Sequence, residues 1–147
     1  MSSVNYDLDA SLDDIADLPS FVSFPTGAYN FIFDKWEQKM DEATDASRIQ
    51  VIFKLEQVVE VLPGNLNPGE PEPEAGSLYG CSFQLNNETG AGLLKKLLAP
   101  VAEKTGERQL RANLEAAKGM LFMLVLKRKH DKKKDEFYSN ILEASLV

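Results

Sequence analysis

Apolar and polar residues alternate along two early segments of the chain, which is the pattern of half-buried β-strands. In the first segment Tyr29, Phe31 and Phe33 fall on one face, and mostly polar residues fall on the other. The stretch 37–47 is largely polar and is predicted to connect this strand to the second one. The inward residues of the second strand are Ile49, Val51, Phe53 and Leu55.

The stretch 63–76 that follows is rich in proline and glycine and carries three glutamates. Proline lacks the amide donor that a strand needs, so this stretch is predicted to be a long acidic surface loop. A third strand is predicted over 77–85, with Tyr79, Cys81 and Phe83 on one face.

The spacing of the leucines changes to three and four after the third strand, which predicts a helix. An asparagine pair can cap its start, and Pro100 is expected to break or kink it. A second short helix over about 110–117 is predicted to end before Gly119. Alternation then returns in two last strands, at about 120–127 and 137–142.

The predicted order is therefore three strands, a helical segment and two strands. This order and these lengths match the five-stranded, partly open barrel known as the OB-fold, whose ligands lie across the second and third strands and the loops around them. A β-sandwich is the alternative, although it more often has about seven short strands and no inserted helices. We predict a mainly β, OB-fold-like binding domain over 19–147.

The N-terminal residues 1–18 carry five aspartates and no lysine or arginine. They hold too few large side chains to form a core, so we predict a flexible acidic tail. The tail is expected either to dock on a partner, such as a replication or recombination protein, or only to keep the protein soluble. Its apolar residues recur at intervals of three and four, at Leu8, Leu12, Ile15 and Leu18.

Length and composition exclude several classes of protein. The chain has 147 residues, 44% apolar and 27% charged, which suits one globular domain. No apolar run approaches the roughly 20 residues of a membrane span, so a membrane protein is not expected. Cys81 is the lone cysteine, which rules out an internal disulfide and favours a reducing, cytoplasmic compartment.

The chain offers little for catalysis. His130 is the single histidine and lies within a lysine run, and Cys81 has neither a second cysteine nor a well-placed histidine nearby in sequence. No zinc spacing and no glycine-rich phosphate loop occurs. We therefore expect a binding protein that is not an enzyme and needs no cofactor.

The net charge of -7 is divided unevenly along the chain. Residues 1–89 hold four Lys and Arg against sixteen Asp and Glu, whereas residues 90–147 hold twelve against seven. The run 127–134, which joins the two last strands, carries six of these positive charges. A phosphate backbone responds to such a local field rather than to the total charge.

Basic loops and exposed aromatic rings on a barrel together suit single-stranded nucleic acid. Trp36 and Tyr138 are predicted to be the exposed stacking residues, because each falls opposite the inward set of its own strand. The alternative for the basic run is a merely solvated hairpin loop. The predicted nucleic-acid-binding residues are Trp36, Lys54, Lys127, Arg128, Lys129, Lys132, Lys133, Lys134 and Tyr138.

Four stretches within about residues 18–144 resemble the layout of small phage-encoded OB-fold proteins that are proposed to bind single-stranded DNA. They are LPSFVSFPTGAYNFIF, RIQVIFKLEQVVE, GCSFQLNNETGAGLLKKLLAP and FYSNILEA. The resemblance implies a single-stranded DNA-binding protein without strong sequence preference, which acts in phage replication or recombination in the host cytoplasm. This chain departs from bacterial single-strand binders in one respect, since their acidic partner-recruiting tail is C-terminal and the acidic segment here is N-terminal.

Two other functions fit the same sequence. A structural, virion-associated protein could use a small β-domain with an acidic arm, and an inhibitor could use the acidic half to imitate nucleic acid. The protein could also form oligomers. A gel shift with labelled single-stranded DNA at two salt concentrations separates these alternatives, because binding to phosphates weakens as salt rises.

Deletion of residues 1–18 is predicted to leave the fold intact and to strengthen binding to single-stranded DNA. The reason is that a mobile polyanionic arm competes with phosphates for the same lysines. Thermal unfolding and salt-dependent affinity of the truncated protein check both parts. A truncated protein that unfolds would show that the segment belongs to the domain.

Overall fold

The computed structural model describes residues 23–41, 46–62, 70–133 and 136–147, so the acidic tail predicted over 1–18 lies outside the described residues. The described elements are five strands and two helices, and the helices lie between the third and fourth strands. This confirms the predicted mainly β chain and its element order. The elements are β1 (Gly27–Asp41), β2 (Ala46–Val61), β3 (Leu78–Gln84), α1 (Glu88–Thr105), α2 (Leu110–Ala117), β4 (Leu121–Asp131) and β5 (Glu136–Leu146).

The strands form one antiparallel sheet in the order β3-β2-β1-β4-β5. In the described part of the chain no strand ladder joins β3 to β5, so the sheet has two edges and stays open. The predicted five-stranded, partly open barrel is therefore not confirmed.

The core lies on the side of the sheet that carries the predicted inward residues. Tyr29, Phe31 and Phe33 of β1 are fully buried, as their alternation predicted. Both helices add leucines to the same core, so the sheet buries its apolar face against them. The buried residues that β2, β4 and the helices contribute include Val51, Phe53, Leu55, Leu94, Leu97, Leu98, Val101, Leu114, Phe122, Leu124 and Leu126.

Helix α1 begins where the sequence predicted but does not break at its proline. The Asn87 side chain accepts a hydrogen bond from the Gly90 amide at 2.6 Å, which caps the first turn. Pro100 lies inside α1, so the predicted break is wrong. Buried leucines and Val101 anchor the helix on both sides of the proline, and their packing outweighs a cost of about 3 kcal/mol.

Among the described residues, no helix is long and apolar enough to cross a membrane.

The connection predicted over 37–47 is largely strand. β1 continues to Asp41 and pairs with β2, which begins at Ala46 and over 48–54 also pairs with β3. Most of the β1 side chains in 34–40 are exposed. Most β1 side chains in this stretch line no buried face, so apolar and polar residues do not alternate there and the pattern did not predict a strand.

Two glycines are predicted to respond in opposite directions when replaced by alanine. A Cβ at Gly27 would meet the Glu60 carbonyl oxygen of the neighbouring strand, so Gly27→Ala should destabilise the protein by about 1–3 kcal/mol. Gly92 lies in α1 with open space around it, so Gly92→Ala should stabilise by about 0.5–1 kcal/mol. Urea unfolding of both variants checks this, and equal midpoints would contradict the close β1–β2 approach.

Candidate nucleic-acid interface

The last two strands continue past the central strand as a hairpin. β1 pairs with β4 only as far as Leu126, which lies opposite Gly27. The β4–β5 pairing runs on to Asp131 and Glu136. The basic run predicted as a loop is therefore mostly strand, and its side chains divide between two faces.

One face of this hairpin collects exposed lysines and an aromatic ring. Lys129 lies directly opposite Tyr138, and Lys127 lies directly opposite Asn140. Residues opposite each other in an antiparallel pair project to the same side with Cβ atoms about 5 Å apart. All four side chains are exposed, and Tyr138 retains 46% of its surface. We call Lys127, Lys129, Tyr138 and Asn140 the basic face.

The turn adds more positive charge next to the basic face. Lys132 and Lys133 are exposed, and the Asp131 carboxylate accepts a hydrogen bond from the Lys133 amide at 3.0 Å. This bond orders the turn, because a short acidic side chain caps the backbone two residues later. Lys134, the last residue predicted in this run, lies outside the described residues.

The other face of the hairpin is packed. The rings of His130 and Phe137 lie 4.7 Å apart, and the Arg128 guanidinium carbon lies 5.6 Å from the centre of the Phe137 ring. Both contacts follow from the pairing, which sets His130 opposite Phe137 and Arg128 beside it. These residues point away from the basic face.

Arg128 holds three separate parts of the chain together. Its guanidinium binds the Glu70 carboxylate through two hydrogen bonds of 2.7 and 3.0 Å, and its side chain is only 7% exposed. It also donates from Nε to the Ser23 hydroxyl at 3.2 Å and from Nη2 to the Ser23 carbonyl oxygen. The Arg128 amide donates to the Thr26 hydroxyl at 3.0 Å. Arg128 was predicted to bind nucleic acid. The structure shows these internal contacts, and a role of Arg128 in nucleic-acid binding stays a prediction.

Trp36 lies on the core side of the sheet, so the prediction that it faces away from the core is wrong. A bulge between Phe33 and Lys35 adds one residue to β1 and reverses the alternation after it. Trp36 then lies opposite Val51 and packs against the core, and the Arg111 guanidinium carbon is 5.7 Å from its ring centre. A role for Trp36 in stacking on bases stays a prediction.

Lys54 is exposed but stands apart from the basic face. It lies opposite Ile32 of β1 in the β1–β2 ladder, and Ile32 in turn lies opposite Leu121 of β4. Leu121 is six residues from Lys127 along β4, which is about 20 Å of strand. Lys54 also shares a surface depression with Asp34 and Glu74, whose charges oppose its own.

Cys81 has the properties of a packed thiol. It adjoins the core, and burial raises the pKa of its thiol to about 12. The thiolate is the reactive form of cysteine, so the thiol is a weak nucleophile near neutral pH.

The structure thus brings together Lys127, Lys129, Lys132, Lys133 and Tyr138 of the predicted residues, and it separates Trp36, Lys54 and Arg128 from them. Asn140 was missed by the sequence analysis. It is two residues from Tyr138, and residues at that spacing in a strand share a face, so this signal could have found it.

No protein-family model matches this chain, and no curated protein matches it significantly.

Arg128→Ala is predicted to destabilise the protein by about 3–5 kcal/mol, because it leaves a partly buried Glu70 carboxylate without its cation. Arg128→Lys should recover only part of this loss, since an ammonium cannot form the same two-pronged contact. Lys129→Ala is the matched control and should change stability by less than about 0.5 kcal/mol. Urea unfolding of the three variants provides the measurement. Equal stability of the Arg128→Ala and Lys129→Ala variants would contradict the internal role of Arg128.

Proposed function

We propose that the chain binds single-stranded nucleic acid, with DNA as the expected ligand, along the basic face of the β4–β5 hairpin. The observation that supports this most is the cross-strand pair of Lys129 and Tyr138, which sets an exposed cation beside an exposed ring. Binding of this kind needs both elements, because cations neutralise phosphates and rings stack on bases.

The charges on this face support binding without strong sequence preference. Lys127, Lys129, Lys132 and Lys133 are exposed. Lysine is a mobile point charge that contacts phosphates without selecting a base, and sequence is read mainly at base edges. Asn140 is the one amide on the face, so base-specific contacts would be few.

The ring on this face supports a single strand over a duplex. A base must leave its stack before an aromatic side chain can cover it, which is easy in a single strand and costs free energy in a duplex. Tyr138 stands on a two-stranded hairpin and keeps 46% of its surface exposed. Such a ring is accessible to successive bases of a flexible strand.

The wider biological setting is part of the same proposal. The resemblance to phage-encoded OB-fold proteins supports a role in phage DNA replication or recombination in the host cytoplasm, by a protein that is not an enzyme and uses no cofactor. A replication or recombination protein is the proposed partner of the N-terminal tail.

The charge and stacking contributions are predicted to separate by mutation. Changing Lys127 and Lys129 to alanine should lower affinity for every single-stranded sequence and flatten the dependence of log affinity on log salt by about 1.4 units, at roughly 0.7 per lost phosphate contact. Tyr138→Ala should instead cost about 1–3 kcal/mol of binding and leave the salt dependence unchanged. Fluorescence anisotropy with labelled oligonucleotides at several salt concentrations measures both quantities.

Matched controls decide whether these effects belong to the basic face. Tyr138→Phe keeps the ring and should bind like the parent, and a double change of Lys104 and Lys118 to alanine removes two exposed charges from the helical region. If removal of either lysine pair lowers affinity equally, binding responds to the electrostatic field of the whole protein and the basic face is not the binding site. If the parent protein does not bind at low salt, the virion or inhibitor function is favoured.

A further inference from the structure

The two edges of the open sheet face each other across a groove. The strand order makes β3 and β5 parallel, since four antiparallel pairings separate them. Between the described edges lies a space of about 510 Å³, with α1 beneath it. The Tyr79 hydroxyl bridges the two edges by donating to the Ser139 carbonyl oxygen at 2.7 Å. The Lys96 ammonium of α1 donates to the Leu142 carbonyl oxygen of β5 at 3.2 Å.

The lining of the groove is mainly apolar and is covered by none of the described residues. Leu93 of α1 and Leu142 of β5 retain 49% and 46% of their surface, although both line it. Cys81 lines the groove on the β3 side. The charged residues of the groove are Lys96 and Glu143, whose charges have opposite signs. The groove therefore has little net charge, and apolar contact outweighs charge in selecting what binds there.

The described chain begins at one end of this groove. The Phe24 carbonyl oxygen accepts a hydrogen bond from the Ser139 hydroxyl at 2.5 Å, and the Phe24 and Tyr79 rings lie 5.8 Å apart. Ser139 and Tyr79 both line the groove. Residues 1–22 are therefore joined to the described chain beside this end of the groove.

The length and composition of the preceding segment fit the groove. The β5 side of the groove is seven residues long, about 23 Å of strand, and residues 1–22 greatly exceed that reach. The part nearest to Ser23 contains Leu18, Phe21 and Val22. A chain that entered at Ser139 and Tyr79 would run antiparallel to both edges, since both strands lead away from that end.

We propose that the groove between β3 and β5 is the docking site of the chain's own N-terminal segment, residues 1–22. The apolar side chains nearest to Ser23 fill the space over Leu93 and Leu142. Covalent linkage gives the segment a high local concentration at the groove, so a modest apolar contact is enough to hold it. This proposal does not depend on which ligand the basic face binds.

Cys81 provides the test, because it is the one cysteine of the chain and lines the groove. The full chain is treated with iodoacetamide at one fixed pH, and the rate of Cys81 alkylation is compared with that of a Leu18→Asp, Phe21→Asp double variant. A Ser11→Asp, Ser20→Asp double variant adds the same charge to the same segment and is the matched control. We expect about five- to tenfold faster alkylation in the first variant and the parent rate in the control.

A second measurement separates release of the segment from unfolding of the domain. A synthetic peptide of residues 1–22, added to the Leu18→Asp, Phe21→Asp variant, should slow alkylation again, and a scrambled peptide should not. Equal alkylation rates in the three proteins would overturn the proposal, and so would fast alkylation that the peptide does not slow. Protection of the parent that grows with protein concentration would also overturn it, because the occupant would then come from a second copy.

Discussion

The packing of aromatic rings around Phe31 sets the curvature on which the rest of the structure depends. The Phe31 ring lies 5.1 Å from Phe24, 5.9 Å from Phe53 and 5.8 Å from Tyr79. Tyr79 belongs to β3, which is two strands away from β1 and would be about 10 Å away in a flat sheet. The Phe31 and Tyr79 rings nevertheless meet over β2, as they do on the concave side of a curled sheet.

This curl shapes the groove between β3 and β5, and the basic face lies at the end of the same sheet. The curl brings the β3 edge near the β5 edge, and the Tyr79 hydroxyl links these described edges through the Ser139 carbonyl oxygen without a strand ladder between them. The end of the β4–β5 hairpin extends beyond β1. There Arg128 contacts Ser23, Thr26 and Glu70, and Ser139 contacts Phe24 and Tyr79. The groove and the basic face thus lie next to each other, and Tyr138 borders both.

Sequence alone predicted the parts of the fold in which side-chain pattern and burial coincide. The rings at Tyr29, Phe31 and Phe33 alternate because one face is buried, and this gave the first strand and its inward side. The alternation predicted the wrong face of the sheet where a backbone irregularity interrupts the strand, as the bulge before Trp36 does. It also could not show sheet closure, because closure depends on how far the edges approach each other in space.

Sequence pattern also predicts how the basic run divides between the two faces of the hairpin. This division matters for the chemistry of binding. Phe122, Leu124 and Leu126 are all buried, so the same alternation already directs Arg128 inward and Lys127 and Lys129 outward. The partner of Arg128, Glu70, is 58 residues away in sequence, so no local pattern predicts that the two residues pair. The inward position holds the guanidinium, whose planar donors suit a fixed carboxylate, and the outward positions hold hydrated, mobile ammonium groups. A hairpin built this way can be rigid at its base while its exposed lysines adapt to an irregular phosphate backbone, which is what binding without sequence preference requires.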